Sequence, residues 1–439
     1  MDDVLLQWQL TPGLQLQGQL RSRRSQYGDV RSAFGVESTA PGEHNSIEDR
    51  SARLGLAWRP SGQEVVLVSY VRQHEEESVL LPGRTRVLAI DADSPGHVLE
   101  AQYQRAVAGG HWLLGVARTR STSQLRLRRY DPALPVPSGP CRTEAPCLTD
   151  DRQALNQDQA YAYWQQPLGD TLQGTLGLAR LVADEPTGLR HLWLPKLGLL
   201  WRPTPEATVR AAAFRTLRRA AEFDQSIEPT SVVGFNQIYD DGNSVASVVH
   251  ALGADVALSP GLKLSAAWTA RRVSVPGPVT TSGQGTVDER WNEQQTRTEL
   301  FWTPHPRIAV RGGLVLDRFW RHPLYQIPML LNLRTASVPL AVRYFLNDGW
   351  FGEAAWTTVA QRVRTPAGMN MPEGFDRFRL VDLVLGRHAG ASPTTVTLTV
   401  KNLFGQRFRF QDDSFRSGDV RLARYLPARS VVLAVQTVF

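Results

Sequence analysis

The chain repeats one short pattern, an alternating apolar strand that ends on tryptophan and turns at once. The pattern occurs at residues 54–60, 197–203 and 300–304. A second phrase, with a Pro-Gly pair between two alternating leucine strands, occurs at residues 10–16 and 258–264. The repeated unit is therefore a whole β-hairpin closed by a tight Pro or Pro-Gly turn. A chain built in this way folds as a succession of antiparallel hairpins.

Most of the chain alternates apolar and polar residues with a period of two, as half-buried strands do. Clear examples are residues 14–20, 262–268, 307–316 and 395–400, where the polar positions are Gln, Lys, Arg, Ser, Thr or Gly. In a soluble sandwich the apolar face would point to a core, whereas in a membrane barrel it would point to lipid. Alternation alone does not distinguish the two folds.

The spacing of the connections favours the barrel, since outer-membrane barrels alternate short periplasmic turns with longer extracellular loops. Short turns fall near residues 12–13, 60–62, 109–110, 167–170, 203–205, 260–261, 304–306, 347–349 and 390–392. The intervening connections are mostly long and rich in Gly, Pro, Ser, Asp and Glu: residues 24–50, 74–96, 130–155, 220–245, 276–292, 365–374 and 411–427, with a brief one at 185–189.

We therefore predict an all-β fold, a large antiparallel transmembrane β-barrel of about 18–20 strands that occupies residues 1–439 as a single domain. The short turns imply about 18 strands, and residues 430–439 add one more. Bacterial single-chain barrels have even strand numbers. We thus expect either a barrel that is incomplete at its N-terminus or a further strand within residues 232–238.

Composition excludes several classes of protein. The 439 residues include 49 basic and 42 acidic side chains. The basic residues are nearly all arginines scattered along the chain, which disfavours nucleic-acid binding because that needs a basic stripe. No apolar run approaches the length of a transmembrane helix. Residues 1–3 are Met-Asp-Asp and do not begin a signal peptide. A mean hydropathy of -0.27 suits a barrel wall that is half polar.

Two sets of side chains are candidate parts of that wall. Tryptophans next to short turns would form an interfacial belt, the alternative being buried core residues; they are Trp8, Trp58, Trp164, Trp201 and Trp302. Arginines on polar strand faces would line the lumen and favour anionic solutes, the alternative being structural pairing with acids such as Glu299 and Glu353; they are Arg126, Arg128, Arg307 and Arg311.

The sequence offers little covalent chemistry. Cys141 and Cys147, the only cysteines, could close a small loop by a disulfide in an oxidising compartment, or remain free thiols. Acidic runs at 74–77 and 240–243 are best explained as solvated loops and turns rather than metal sites. No Gly-x-Ser-x-Gly elbow occurs. We therefore predict a protein that is not an enzyme and has no metal and no cofactor.

The end of the chain resembles a known family. Residues 400–408, Val-Lys-Asn-Leu-Phe-Gly-Gln-Arg-Phe, resemble the "N-L-F-[DG]-x-x-[YF]" phrase of TonB-dependent receptors, where this phrase is expected at the inner rim. Residues 425–429 resemble their "P-x-R" entry into the closing strand, and residues 228–236 resemble a loop exit of such receptors with two residues reversed. The terminal Phe439 resembles the signal that the barrel assembly machinery reads.

This resemblance implies a protein of the bacterial outer membrane that carries a solute or polymer across it. Its partners would be outer-membrane lipid, the barrel assembly machinery and, through a segment preceding residue 1, a TonB-type energy transducer or a periplasmic repeat domain. Neither a plug domain nor a TonB box is recognisable in the chain. Three alternatives stay open: an export pore coupled to periplasmic tetratricopeptide repeats, a structural or adhesive display barrel, and a soluble all-β binding module.

Overall fold

The structure is a computed structural model, and it describes most of the chain. The described residues are 2–28, 34, 42–82, 87–107, 109–130, 147–185, 188–218, 226–239, 241, 244–275, 289–321, 330–367, 372–388, 394–412, 424–426 and 428–437. None of them forms a helix of the length and apolarity needed to cross a bilayer.

The described residues form 21 strands and one 3-10 turn at Asn347–Gly349. In chain order the strands are β1 Asp2–Thr11, β2 Leu14–Tyr27, β3 His44–Ser61, β4 Glu64–Pro82, β5 Val87–Val107, β6 Gly110–Tyr130, β7 Cys147–Pro167, β8 Leu172–Glu185, β9 Gly188–Thr204, β10 Ala207–Leu217, β11 Ser231–Val232, β12 Phe235–Asn236, β13 Ala246–Ser259, β14 Leu262–Val275, β15 Glu289–His305, β16 Ile308–Arg321, β17 Asn332–Phe345, β18 Trp350–Arg364, β19 Gly374–His388, β20 Thr394–Lys401 and β21 Ser430–Thr437.

One antiparallel sheet of 19 strands contains all of these except β11 and β12. Each strand pairs with the next along the chain, and β10 pairs directly with β13. The predicted all-β antiparallel fold and strand number are confirmed. The expectation of a further wall strand within residues 232–238 is wrong, because β11 and β12 pair only with each other as a separate small hairpin.

The connections alternate between two rims, as predicted, although several bounds differ. The predicted short turns that the structure describes lie on one rim, and the one predicted at 390–392 falls outside the described residues. The predicted loop at 74–96 is largely strand, because β4 runs to Pro82 and β5 begins at Val87. The acidic residues 75–77 are therefore strand residues, paired with positions 92–94 of β5. A further connection, 322–331, joins β16 to β17 and was not predicted.

The two faces of the sheet differ in the way that a membrane wall requires. On β17, Val338, Leu340, Val342 and Tyr344 are all exposed, each by more than two fifths. The alternate residue Ser337 is buried on the opposite face. A soluble protein rarely exposes so large a continuous apolar surface. We call this apolar side the outer face and the other side the inner face.

The sheet curves so that the connection after β2 reaches strands near the end of the chain. Phe34, in the connection after β2, is buried with Leu333 of β17 and Val363 of β18. Its backbone N–H donates a 3.0 Å hydrogen bond to Gln411 Oε1, in the connection after β20. Within the described part of the chain, β1 pairs only with β2 and β21 only with β20. Both of these edge strands run toward the short-turn rim.

Candidate functional site

Two segments from the long-connection rim fold back onto the inner face of the sheet. We call residues 226–239 the inner hairpin and residues 402–412 the second inner segment. The inner hairpin contains β11 and β12 and turns through Val233 and Gly234, whose φ angles are 43° and 87°. The turn needs this left-handed backbone, which glycine adopts without a steric penalty.

Glu100 of β5 anchors the start of the inner hairpin. Its carboxylate is almost completely buried. It accepts hydrogen bonds from Tyr161 Oη at 2.9 Å, from Ser226 Oγ at 3.0 Å and from the backbone N–H groups of Ile227 and Glu228 at 3.0 and 3.2 Å. A buried carboxylate is tolerated when its oxygens are satisfied in this way. The wall therefore fixes the hairpin through its backbone.

Glu228 provides a second buried anchor. Its carboxylate accepts hydrogen bonds from Tyr163 Oη at 2.8 Å and from Gln159 Nε2 at 3.0 Å. Lys196 Nζ of β9 lies 3.2 Å from Glu228 Oε1, and it also bonds the side chain of Gln237 on the returning strand of the hairpin. The lysine thus ties both arms of the hairpin to the wall.

The apolar tip of the hairpin fits against two glycines of the wall. A Cβ atom at Gly198 would lie only 2.8 Å from Val232 Cγ1, and one at Gly253 would lie 3.1 Å from the ring of Phe235. The Arg210 guanidinium lies over the Phe235 ring, 5.3 Å from its centroid. Both glycines make room for close packing of the hairpin.

A cluster of charges closes the end of the hairpin. The Arg271 guanidinium stacks on the ring of Tyr239 at 3.6 Å and pairs with Asp241 and, at 2.8 Å, with Glu293. Burial raises the pKa of Tyr239 to about 12, against the lowering effect of Arg271. The phenol therefore stays neutral at physiological pH. Among the described residues, no three His, Cys, Asp or Glu side chains group as metal ligands.

The second inner segment begins where β20 leaves the sheet. Asn402 has a φ of 49° and is buried. Its backbone N–H donates to Asp382 Oδ1 at 2.7 Å, and its side chain exchanges hydrogen bonds with the backbone of Gln406 at 2.8 and 2.9 Å. Asp382 lies well inside β19. The Asn-Leu-Phe-Gly phrase therefore begins at mid-height against the inner face of β19, not at the rim where we expected it.

Aromatic packing holds the rest of this segment against β19. Phe408 stacks on Phe378 with a centroid distance of 4.0 Å, and Phe410 and Tyr425 meet Phe378 edge-on. Gln361 of β18 exchanges two hydrogen bonds with the backbone of Gln411, at 2.6 and 3.0 Å. The chain after β20 thus occupies space in the lumen against the inner face of β18 and β19.

The structure separates the four arginines predicted to line the lumen. Arg126 and Arg128 share the outer face of β6 with Leu114 and Val116. They pair there with Asp150 at 3.2 Å and Asp91 at 2.5 Å. This corrects the prediction: β6 extends beyond the apolar part of the wall, where the outer face is itself polar.

The other two arginines also differ in position. Arg311 lies on the inner face of β16, on the same face as the buried Asp317. Arg307 lies in the short turn between β15 and β16, where its carbonyl accepts a 2.8 Å hydrogen bond from Phe345 N–H. Glu353, proposed as a structural partner, pairs with Arg343 at 2.7 Å, and Glu299 lies 4.0 Å from Arg297.

The five predicted tryptophans all lie near the short-turn rim on the outer face. Trp8, Trp58, Trp201 and Trp302 are each about half exposed. Trp164 stacks on Trp112 of the neighbouring strand at 5.7 Å. Their arrangement is that of a belt, and its location at a bilayer interface remains a prediction.

Two predicted features lie partly or wholly outside the described residues. Cys147 is disulfide-bonded, whereas Cys141 falls outside the described residues, so the pairing of the two stays a prediction. Phe439 also falls outside them.

Comparison with known proteins identifies the fold. No protein-family model and no curated protein matches the chain. Solved structures do match. The ferric citrate transporter FecA is 14% identical, with a TM-score of 0.67 over 98% of this chain and 69% of that one. The pyoverdine outer membrane receptor FpvA from Pseudomonas aeruginosa PAO1 is 12% identical, with a TM-score of 0.64 over 100% and 70%.

A third match, BauA, the ferric preacinetobactin receptor from Acinetobacter baumannii, is 13% identical, with a TM-score of 0.64 over 99% and 71%. The chain spans 64% of the matched receptor chain in the FpvAI–pyocin S2 complex. The fold expected from the resemblance to the barrel of TonB-dependent receptors is confirmed.

Proposed function

We propose that this chain forms the wall of a receptor-type transport barrel in the bacterial outer membrane, through which a solute crosses. The observation that carries the proposal is the inner hairpin, which buried Glu100 and Glu228 fix to the inner face of an apolar-coated sheet. A wall with lipid-facing side chains outside and an anchored constriction inside is suited to controlled passage.

The inner wall favours controlled passage over an anion-selective pore. Its cations are largely paired with acids, as in Arg210 with Asp255 at 2.9 Å and Arg424 with Asp317 at 2.9 Å. Rings of uncompensated arginine, which would select anions, are thus replaced by pairs that hold the wall and the inner segments together. Specificity then resides in the connections and the inner segments.

The same fold suggests the partners. Structures matched by this chain are, by their names, receptors and transporters of iron chelates. By analogy, the chain would use a TonB-type transducer for energised uptake, surrounding lipid for its outer face and the barrel assembly machinery for insertion. These partners rest on the likeness of fold and on no contact in the structure.

We infer in addition that further strands close the barrel. Among the described strands, β1 and β21 each have one unpaired edge, and they run in the same direction. Neighbouring strands of an antiparallel sheet run in opposite directions. Two edge strands that run in the same direction can therefore be joined only through an odd number of intervening strands. Unpaired edges are also a liability that barrels abolish by closure. A segment of the same protein that contributes an odd number of strands would satisfy both conditions.

The proposal is tested with the full-length protein, including the segment that supplies the further strands, reconstituted in liposomes loaded with sugars of graded size. We expect detergent-dependent solubility, heat-modifiable migration on gels and release of small sugars only, because the inner segments narrow the lumen. A monomer soluble without detergent would overturn the membrane assignment. A folded, inserted barrel that releases nothing of any size would overturn passive passage through the lumen of this wall.

A further inference from the structure

An uninterrupted row of arginines crosses the outer face of three neighbouring strands. Arg318 of β16 is directly opposite Arg334 of β17, which is directly opposite Arg362 of β18. All three side chains are exposed. Their sequence neighbours Asp317 and Gln361 are buried on the inner face, which fixes the arginines to the outer face.

These guanidinium groups have no acidic partner among the described residues. Other outer-face arginines do have one: Arg118 and Arg120 share Asp158 at 2.8 and 3.2 Å. In the row, Arg318 instead stacks on Trp320 at 4.6 Å and Arg362 on Phe375 at 5.7 Å. Like charges directly opposite on adjacent strands destabilise a sheet. The row is therefore a place where an external anion would be stabilising.

An apolar recess lies directly beneath the row, toward the short-turn rim. Leu316, Ala336 and Ala360 are opposite one another on the same three strands and form its floor. Trp268 and Phe375 stand at its two sides. The short side chains of the two alanines leave space between these two large rings. The recess thus has an apolar floor and, on the side of the long connections, an edge formed by the three arginines.

The height of the row places it at the edge of the apolar band. Ten positions separate Arg334 from Tyr344, near the short-turn rim. At about 3.4 Å per residue and a tilt of about 40°, this corresponds to roughly 25 Å along the barrel axis. That is about the height of the apolar band of an outer-membrane barrel. The arginines would meet the headgroups on the side of the long connections.

We propose that Arg318, Arg334 and Arg362 bind the phosphate groups of a phosphorylated, multi-acyl glycolipid in that leaflet. One acyl chain of the lipid lies in the recess over Ala336 and Ala360. Arginine is suited to this role because its planar guanidinium binds phosphate through two parallel hydrogen bonds. The inference rests on the proposed membrane placement but not on the proposed transport.

The test measures lipid carried by the purified full chain. Wild-type protein is mixed in detergent with diphosphorylated lipid A, washed, and analysed by native mass spectrometry. We expect retention that falls at least tenfold in the R318Q/R334Q/R362Q variant. The control R118Q/R120Q/R126Q removes the same charge from outer-face arginines that already have acidic partners, and it should retain the lipid. Dephosphorylated lipid A should show no difference in retention between the wild type and the R318Q/R334Q/R362Q variant.

A second variant keeps all the charges. Ala336→Trp fills the recess and should weaken lipid retention while leaving the arginines in place. Equal retention of diphosphorylated lipid A by the wild type and the triple variant would overturn the proposal. Heat-modifiable migration and sugar release by the variants report separately on folding and transport, so failure of lipid binding is distinguishable from failure of the membrane barrel.

Discussion

Lys196 and Glu228 form an ion pair inside the barrel, with 3.2 Å between Nζ and Oε1 and side chains only 3% and 9% exposed. Lys196 belongs to a wall strand, and Glu228 belongs to a connection that leaves the sheet. Two charges are removed from water here, at a cost that only mutual neutralisation and the surrounding hydrogen bonds offset. The pair therefore holds the inner hairpin in one position and makes that position sensitive to mutation.

Replacing one member of the ion pair should lower the free energy of unfolding more than replacing both members. Lys196→Met leaves Glu228 buried without its cation, which typically costs about 3–5 kcal/mol. We expect a lower thermal transition of heat-modifiable folding and release of larger sugars from liposomes. The double variant Lys196→Met/Glu228→Gln should recover much of the loss. If the single variant were as stable as wild type, the hairpin would not be anchored by this pair.

Gly198 should be intolerant of even one methyl group. A Cβ there would lie 2.8 Å from Val232 Cγ1 and 2.9 Å from Val233 Cγ1. We expect Gly198→Ala to displace the hairpin tip, at an overpacking cost of about 1–3 kcal/mol, and to widen the size limit of sugar release. The matched control is Gly312→Ala on the outer face, where the new Cβ would be 3.7 Å from Leu340 Cδ1. An identical size limit in both variants would contradict the packing argument.

Asn402 should matter both for its backbone and for its amide. Replacement by glycine keeps the positive φ but leaves the half-buried N–H of Gln406 without its acceptor, a loss of about 1 kcal/mol. Replacement by alanine adds backbone strain, so we expect Asn402→Ala to be the less stable of the two. Thermal unfolding in detergent measures the order of stability of the two variants and the wild type. Equal stability of both variants and wild type would show that the second inner segment is not anchored here.

The apolar face distinguishes a membrane wall from a soluble one. Leu340→Arg, near the middle of the apolar band, should destabilise the barrel in a bilayer by about 2–4 kcal/mol. Leu189→Arg is the control, because Leu189 is equally apolar and 62% exposed but lies beyond the band at the start of β9. For a soluble protein both exposed substitutions would stay within about 0.5 kcal/mol. Denaturant titration in lipid vesicles measures the stability of both variants relative to the wild type.

The strands were predictable because their signal is local. Alternation with a period of two and Pro-Gly turns repeat within a few residues, and each hairpin needs only its own sequence to be recognised. The inner hairpin had no such signal. Glu100, Tyr161 and Lys196, which lie around Glu228, come from three different strands, and only the folded sheet brings them together.

The faces of the longest strands show a second limit. We assigned Arg126 and Arg128 to the lumen because polar residues of a membrane strand usually point inward. β6 is 21 residues long and extends beyond the apolar band, where the outer face is polar as well. Counting by twos from Trp112 and Leu114 would have placed both arginines outside. The signal was present in the sequence, but it required knowledge of where the apolar band ends.

A spin-label scan of β17 tests the membrane wall most directly. Single cysteines from 337 to 344, in a background without Cys141 and Cys147, would carry nitroxides on the full chain in lipid vesicles. We predict that labels at 338, 340, 342 and 344 are accessible to oxygen and shielded from a water-soluble nickel reagent, whereas labels at the alternate positions are not. Uniform access of the nickel reagent to both faces would contradict the account.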